Sequence, residues 1–239
     1  MIKKVTDLLG YTSNIEEVLL NLYQYDAKDT FMLVVTINRK NKLNAVNPLI
    51  LDQLIQVFQY FKDVHKVRAI IITGSGSKAF IAGADIATMS KYSDKEAYDY
   101  SLKGQELVKL ILFYNKPVIA AINGYALGGG CEISLACHLR YASNNACFGQ
   151  PEVKLGIIAG WGGTQNLPRI VGLSKAVDLL ISGRIIDAKE ALKIGLINDI
   201  IESKNFLDEI LNRTVPIIEN SPNAIMHTIN SIYTGFNHN

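Results

Sequence analysis

The stretch VIAAINGYALGGGCEISLA, residues 118–136, decides the fold. Its first five residues are apolar and include β-branched Val118, Ile119 and Ile122, a buried-strand signal, and Asn123-Gly124 then marks a turn. The triplet Gly128-Gly129-Gly130 follows, and CEISLAC opens a helix. A strand that runs through a glycine turn straight into a helix leaves the first N–H groups of that helix unpaired, with the positive end of its dipole at the turn. Glycine there lets a ligand atom approach the backbone without meeting a Cβ. The segment is an anion site in outline, with Glu132 in the first helical turn. A glutamate at that position is also a common capping residue, so this segment alone leaves the capping and the chemical readings open. Neither Gly128-Gly129-Gly130 nor Gly162-Gly163 fits G-x-x-x-x-G-K-[ST] or G-x-G-x-x-G, which weighs against phosphate-loop and dinucleotide readings.

Outward from this segment the same theme recurs. FMLVVTI (31–37) and AIIIT (69–73) are further strands, and each leads toward a helix. Asn47-Pro48 can start a helix whose apolar Leu51, Leu54, Ile55 and Phe58 share one face, and a second helix runs from about Lys95 to Tyr114 before Pro117. Successive β and α elements predict a layered α/β core. Exact repeats are absent. Past Gly183, DAKEALKIG (187–195) has the form of a capping box from Asp187 to Glu190 with Gly195 as C-cap. Residues 204–239 read as one or two helices broken by Pro216 and Pro222.

Composition narrows the function. The 239 residues are 49% hydrophobic and 19% charged, enough for one substantial core, and the net charge of +2 gives no electrostatic case for nucleic acid or a membrane surface. Cys131, Cys137 and Cys147 lack C-x-x-C spacing, which argues against a disulfide framework and against a metal site. No N-terminal apolar h-region and no bilayer-length apolar run is present, so a cytoplasmic enzyme is expected.

Two further segments carry candidate chemistry. In FGQPEVKLGIIAGWGGTQNLPR (148–169), Glu152 follows Pro151 and the segment ends in a glycine-rich turn; alone, Glu152 reads as a solvated loop residue. IAGAD (81–85) is a small-residue turn whose backbone can supply an N–H donor opposite Gly129.

Together, AFIAGADI (79–86), KPVIAAINGYALGGGCEISLAC (116–137) and FGQPEVKLGIIAGWGGTQNLPRIVG (148–172) resemble the enoyl-CoA hydratase/isomerase, or crotonase, superfamily, in order and over about residues 31–200. The resemblance implies a crotonase (ClpP-like) spiral of repeated ββα units over residues 1–185, with a helical C-terminal oligomerisation region over 186–239. It implies an enoyl-CoA hydratase, a lyase adding water reversibly and syn to a trans-2-enoyl-CoA. Double-bond isomerisation and non-catalytic acyl-CoA binding are the alternatives.

By the same resemblance, Glu132 activates the water and Glu152 delivers a proton to the α-carbon. The N–H groups of Ala84 and Gly129 form the oxyanion hole, and Gly160 positions the water. Lys40, Lys42, Ala82, Asp85, Ile86 and Trp161 contact the substrate, Trp161 lining the acyl pocket unless it is a core residue. No cofactor is expected, since coenzyme A is part of the substrate. The implied partners are the acyl-CoA thioester and further copies of the chain, as a homotrimer or a dimer of trimers.

This sequence departs from the family pattern at Lys40 to Lys42, where R-P-K-A-L-N-A is common, and at His138, where many relatives have Asp. His138 reads first as a packing or surface substitution. The chain also reaches Asn239 before the family's usual final helix.

Overall fold

The structure is a computed structural model that describes residues 2–5, 7–12, 16–25 and 29–237. Strands β1 (Ile2–Val5), β2 (Val18–Tyr25) and β3 (Thr30–Ile37) form an antiparallel meander, followed by helix α1 (Pro48–Lys62). Asn47 caps α1 by accepting the Ile50 N–H at 2.8 Å, with Pro48 at the first helical position, where its missing N–H costs nothing. Then come β4 (Val67–Gly74), β5 (Ala79–Ile81), the short α2 (Ile86–Met89) and α3 (Asp94–Leu112). A Ser93–Glu96 capping box starts α3.

The chain continues through β6 (Val118–Ile122), β7 (Tyr125–Leu127) and α4 (Gly129–Ala136), then β8 (Leu139–Ser143), β9 (Cys147–Gly149) and a 3-10 segment, Pro151–Leu155. Helices α5 (Gly163–Val171) and α6 (Leu173–Ser182) precede β10 (Ile185–Asp187), α7 (Ala188–Lys193) and β11 (Asp199–Ile201). Two helices close the chain, α8 (Phe206–Ile218) and α9 (Pro222–Asn237).

Seven strands form one sheet in the order β1-β2-β3-β4-β6-β8-β11, parallel from β3 onward. A smaller sheet has the order β10-β9-β7-β5, parallel through β5, β7 and β9. In each of the pairs β4/β5, β6/β7 and β8/β9, the first strand enters the large sheet and the second enters the small one. This is the repeated unit of the spiral. The expected strands 31–37, 69–73 and 118–122 are all strands of the large sheet.

The apolar runs are nearly continuous because both faces of the large sheet are covered. Leu33, Val35, Ile70, Ile72, Ala120 and Ile122 pack toward Leu54, Phe58, Leu107 and Ile111 of α1 and α3. The alternate residues Met32, Val34, Ala69, Ile71, Ile119 and Ala121 pack on Ile210, Leu211 and Ile218 of α8.

Two expectations for the C-terminal part change. Pro216 does not break a helix: α8 runs through it to Ile218, forgoing the N–H bond of that one residue, while Pro222 begins α9. Nor are residues 186–239 purely helical, since β10 pairs with β9 and β11 extends the large sheet beside β8. Asp187 caps α7 as expected, accepting the Glu190 N–H at 2.8 Å, and Gly195 at φ +77° follows in the left-handed region. Among the described residues, no helix is long and apolar enough to cross a membrane.

Candidate active site

The small sheet explains why three distant segments meet. β5, β7 and β9 are parallel neighbours, so their C-terminal ends lie along one edge. The turn 82–85 leaves β5, Gly128 leaves β7, and Gln150 to Glu152 leave β9. The Gly128 N–H donates to Gly149 O at 2.9 Å across that edge.

The turns themselves are built for close approach. Gly83 has φ +103° and Gly128 has φ +50°, conformations that a side chain resists. A Cβ on Gly83 would lie 4.0 Å from the Gly129 nitrogen, and one on Gly128 would lie 3.0 Å from Glu152 Oε1. The β5 turn, the start of α4 and the Glu152 carboxylate therefore face one small space. Val46 bridges to this turn through the Gly83 carbonyl and the Asp85 N–H, which leaves the Ala84 N–H out of the ladder. Among the described residues, the N–H groups of Ala84, Gly129 and Gly160 donate to no protein acceptor. The orphan donors of Ala84 and Gly129 beside the Glu152 carboxylate are elements of an acyl-transfer or enolate-stabilising site.

Glu132 is 2% exposed, and its Oε1 accepts the N–H groups of Trp161 at 2.7 Å and Gly163 at 2.8 Å. Burial is the largest influence on it. Helped by the nearby Glu152 charge and opposed by the two N–H donors, burial pushes its pKa up to about 7. Glu152 is 8% exposed, and burial raises its pKa also. Gln150, itself buried, satisfies its surroundings with its amide nitrogen toward Glu152, 3.0 Å from Oε1 and 3.2 Å from Oε2. Its amide also lies beside Gly163, where a Cβ would meet both Gln150 and Glu132 Oε1. Gln150 thus contacts Glu152 and lies next to the Gly163 segment that holds Glu132, a residue the sequence reading passed over. Its place directly before Pro151-Glu152 was the available signal.

The remaining expected residues divide. Lys40 and Lys42 are exposed on the single 3-10 turn Lys40–Lys42 after β3. The Ala82 N–H is taken by Leu43 O at 3.1 Å, and Ile86 is 56% exposed at the start of α2. Asp85 has structural partners: it caps α2 and both terminal guanidinium nitrogens of Arg39 reach its Oδ2 at 3.0 Å. Burial opposes its charge, yet Arg39 and the Thr88 and Ala87 N–H groups outweigh burial and hold its carboxyl below the usual range.

Arg39 also pairs with Glu17 at 3.0 Å and donates to Ala45 O at 2.9 Å. Asn44, in the left-handed region at φ +57°, donates to Ser75 O and Ala79 O. Arg39 and Asn44 therefore brace the 38–46 segment against the β5 turn, which the sequence reading did not single out.

Trp161 is 4% exposed and T-stacks on Tyr100 with centroids 5.5 Å apart. It also borders, with Ser101, Gln105, Ile158 and Gly160, a cavity of about 510 Å³ beside α3. His138 accepts the Val118 N–H on Nδ1 at 2.9 Å and lies 3.3 Å from Leu112 O through Nε2. Burial pushes its pKa down to about 4, and it packs away from the carboxylates as a neutral ring.

Comparison with known proteins agrees with this architecture. The family profile described as enoyl-CoA hydratase/isomerase matches residues 28–239. The short-chain-enoyl-CoA hydratase of Clostridium acetobutylicum is 42% identical over 208 residues, covering 87% of this chain and 80% of that protein. The crotonyl-CoA hydratase of Syntrophomonas wolfei is 46% identical over 183 residues, 77% of this chain and 70% of its own length. The crystal structure of an enoyl-CoA hydratase from Bacillus anthracis superposes with a TM-score of 0.87 at 31% identity, covering 93% of this chain and 84% of that one. With a ββα spiral that brings the Gly83 and Gly128 turns and Glu152 to one sheet edge, and with relatives of this similarity, the chain belongs to the enoyl-CoA hydratase/isomerase family.

Proposed function

We propose that this protein is an enoyl-CoA hydratase that adds water reversibly across the double bond of a 2-enoyl-CoA. The observation that carries the reading is that the buried Glu152 carboxylate lies beside the unpaired N–H groups of Ala84 and Gly129, with the buried Glu132 carboxylate rooted in the first turn of α4 and held by the Trp161 and Gly163 N–H groups. In this reading the thioester oxygen accepts both N–H groups, which are worth most when negative charge develops on it in the enolate-like transition state. Water held between the glutamates, with help from the free Gly160 N–H, attacks the β-carbon as one carboxylate takes its proton. The other, protonated, carboxyl group delivers its proton to the α-carbon. Burial of both groups supports their sharing a proton near neutrality, so that an acid and a base coexist. Glu132, with two N–H donors on Oε1, takes the base role and Glu152 the acid role.

The names of the two curated relatives support a short 2-enoyl-CoA such as crotonyl-CoA as substrate. Purified protein should remove the ultraviolet absorbance of the conjugated thioester with crotonyl-CoA. No absorbance loss across short, medium and long 2-enoyl-CoAs would overturn the reading.

We also read the protein as a homotrimer or a dimer of trimers. Leu173, Val177 and Ile181, exposed by 72%, 43% and 72%, form a stripe along α6 that a second copy could cover. A monomer by sizing with light scattering would overturn this.

A further inference from the structure

We propose that Ser101 and Gln105, one helical turn apart on α3, are positioning residues for hydration: they grip the Gly160 carbonyl and thereby set the peptide plane whose N–H holds Glu132. The proposal rests on the hydratase reading and extends it to residues outside the three glycine-bearing segments.

The Ser101 hydroxyl donates to Gly160 O at 2.9 Å, and Gln105 Nε2 donates to the same oxygen at 2.9 Å. The other end of that peptide is the Trp161 N–H, which donates to Glu132 Oε1 at 2.7 Å. A peptide unit is planar, so fixing its carbonyl direction fixes its N–H direction. Two donors on the carbonyl also polarise the unit and strengthen its N–H as a donor. The spacing on α3 follows from the helix, since residues four apart lie one above the other on one face. Gln105 Nε2 lies 3.4 Å from Ser101 Oγ, which keeps the two on one acceptor.

The segment needs such a tether. Ile158, Ala159 and Gly160 donate no backbone hydrogen bond among the described residues, and Ile158 is 73% exposed. Before it, the Ile157 N–H reaches Glu152 O at 3.3 Å; after it, Gly162 O accepts the first turn of α5. Between those points the backbone is held by α3 through Gly160 O, by the Trp161 N–H on Glu132 and by the buried Trp161 ring. A further consequence is that the free Gly160 N–H, the water-positioning group of the proposed mechanism, is aimed by the same loop.

The test compares wild type with Ser101→Ala, Gln105→Met and the double variant on crotonyl-CoA over a pH series. The double variant should lose about tenfold in kcat, within the range for removing a supporting hydrogen bond, with KM changed by less than about twofold. The acid limb of its kcat profile should move to higher pH, because Glu132 loses a well-aimed donor to its carboxylate. Ser101→Thr, which keeps the hydroxyl, should match wild type in both. Carbon-13 titration of the Glu132 carboxyl by NMR should show the same upward move without needing turnover. A wild type that hydrates nothing would sink the hydratase reading, while the titration would still decide the proposal. Unchanged kcat, profile and titration in the double variant would overturn it. So would a kcat loss that tracks a lowered melting temperature with no movement of the profile or titration.

Discussion

Gly104 and Trp161 occupy complementary space: a Cβ on Gly104 would stand 2.2 Å from both Cδ1 and Nε1 of the Trp161 ring. The far edge of the same indole closes on Gly129, where a Cβ would lie 2.6 Å from Cζ3. The tryptophan is thus wedged between α3 and the first residue of α4, and its own N–H holds Glu132. The packing of one side chain and the alignment of the proposed catalytic carboxylate are the same structural fact.

Gly104→Ala should therefore cost stability and activity together. Overpacking of a closed core costs about 1–3 kcal/mol, and relief requires the loop carrying the Trp161 and Gly163 N–H groups to shift. Trp161→Ala should cost more, about 3–5 kcal/mol, by leaving a cavity. Urea unfolding of both single variants and the double variant measures the coupling. Additive effects would mean the contact does not carry the strain argued for it.

Glu132→Gln and Glu152→Gln should each reduce kcat by about 10²–10⁴ while leaving circular dichroism unchanged, the range typical for a positioned acid or base. Near-normal turnover in either variant removes that residue from the mechanism.

The raised pKa of Glu132 has a sign that stability measurements can read. Its folded value, pushed up to about 7, lies above the ordinary carboxyl value, so the folded state holds the proton more tightly than the unfolded chain. Its contribution is fully present below the unfolded pKa and is lost as pH rises through about 7. Between about pH 4.5 and 7 the wild type should lose on the order of 3 kcal/mol from this group, and Glu132→Gln should flatten that slope. Equal slopes in the two proteins would show that Glu132 does not hold a raised pKa.

Arg39→Met should destabilise the fold by about 3 kcal/mol, since it strips Asp85 of its main partner in a pair whose side chains are only 14% and 11% exposed. Asp85, held low in the folded state, contributes stability above its unfolded pKa that is lost as pH falls through the folded one. The wild type should accordingly lose more stability than Arg39→Met on acidification below about pH 4. Parallel pH dependence would show that the ion pair is energetically silent.

The three central strands β3, β4 and β6 of the large sheet were legible because they are apolar on both faces: FMLVVTI, AIIIT and VIAAI need no partner to be recognised. The short strands β5 and β7 were read as glycine stretches, and β9 was not read at all. Each has three residues, too few for a period to develop. The strands β1 and β2 were missed for another reason: polar residues such as Asn21 and Gln24 interrupt a half-buried pattern that only pairing with β3 completes.

For the site, the sequence alone determined the residue types: two glutamates, two small-residue turns, and glycines where a backbone must be approached. It also fixed the local event at Gly128 to Glu132, because a strand entering a helix through glycine leaves donors unpaired wherever it occurs. Only the tertiary structure decided that Ala84, Gly129 and Glu152 face one space, since their segments leave three parallel strands whose ends align only once hydrogen-bonded, and that Glu132 is held by the Trp161 and Gly163 N–H groups. It likewise assigned Asp85 to Arg39, and put Gln150, Ser101 and Gln105 within reach of the carboxylates or the loop that holds them. Apart from Gln150 beside Glu152, those contacts join residues tens of positions apart, and no local pattern in a chain encodes the distance between two of its segments.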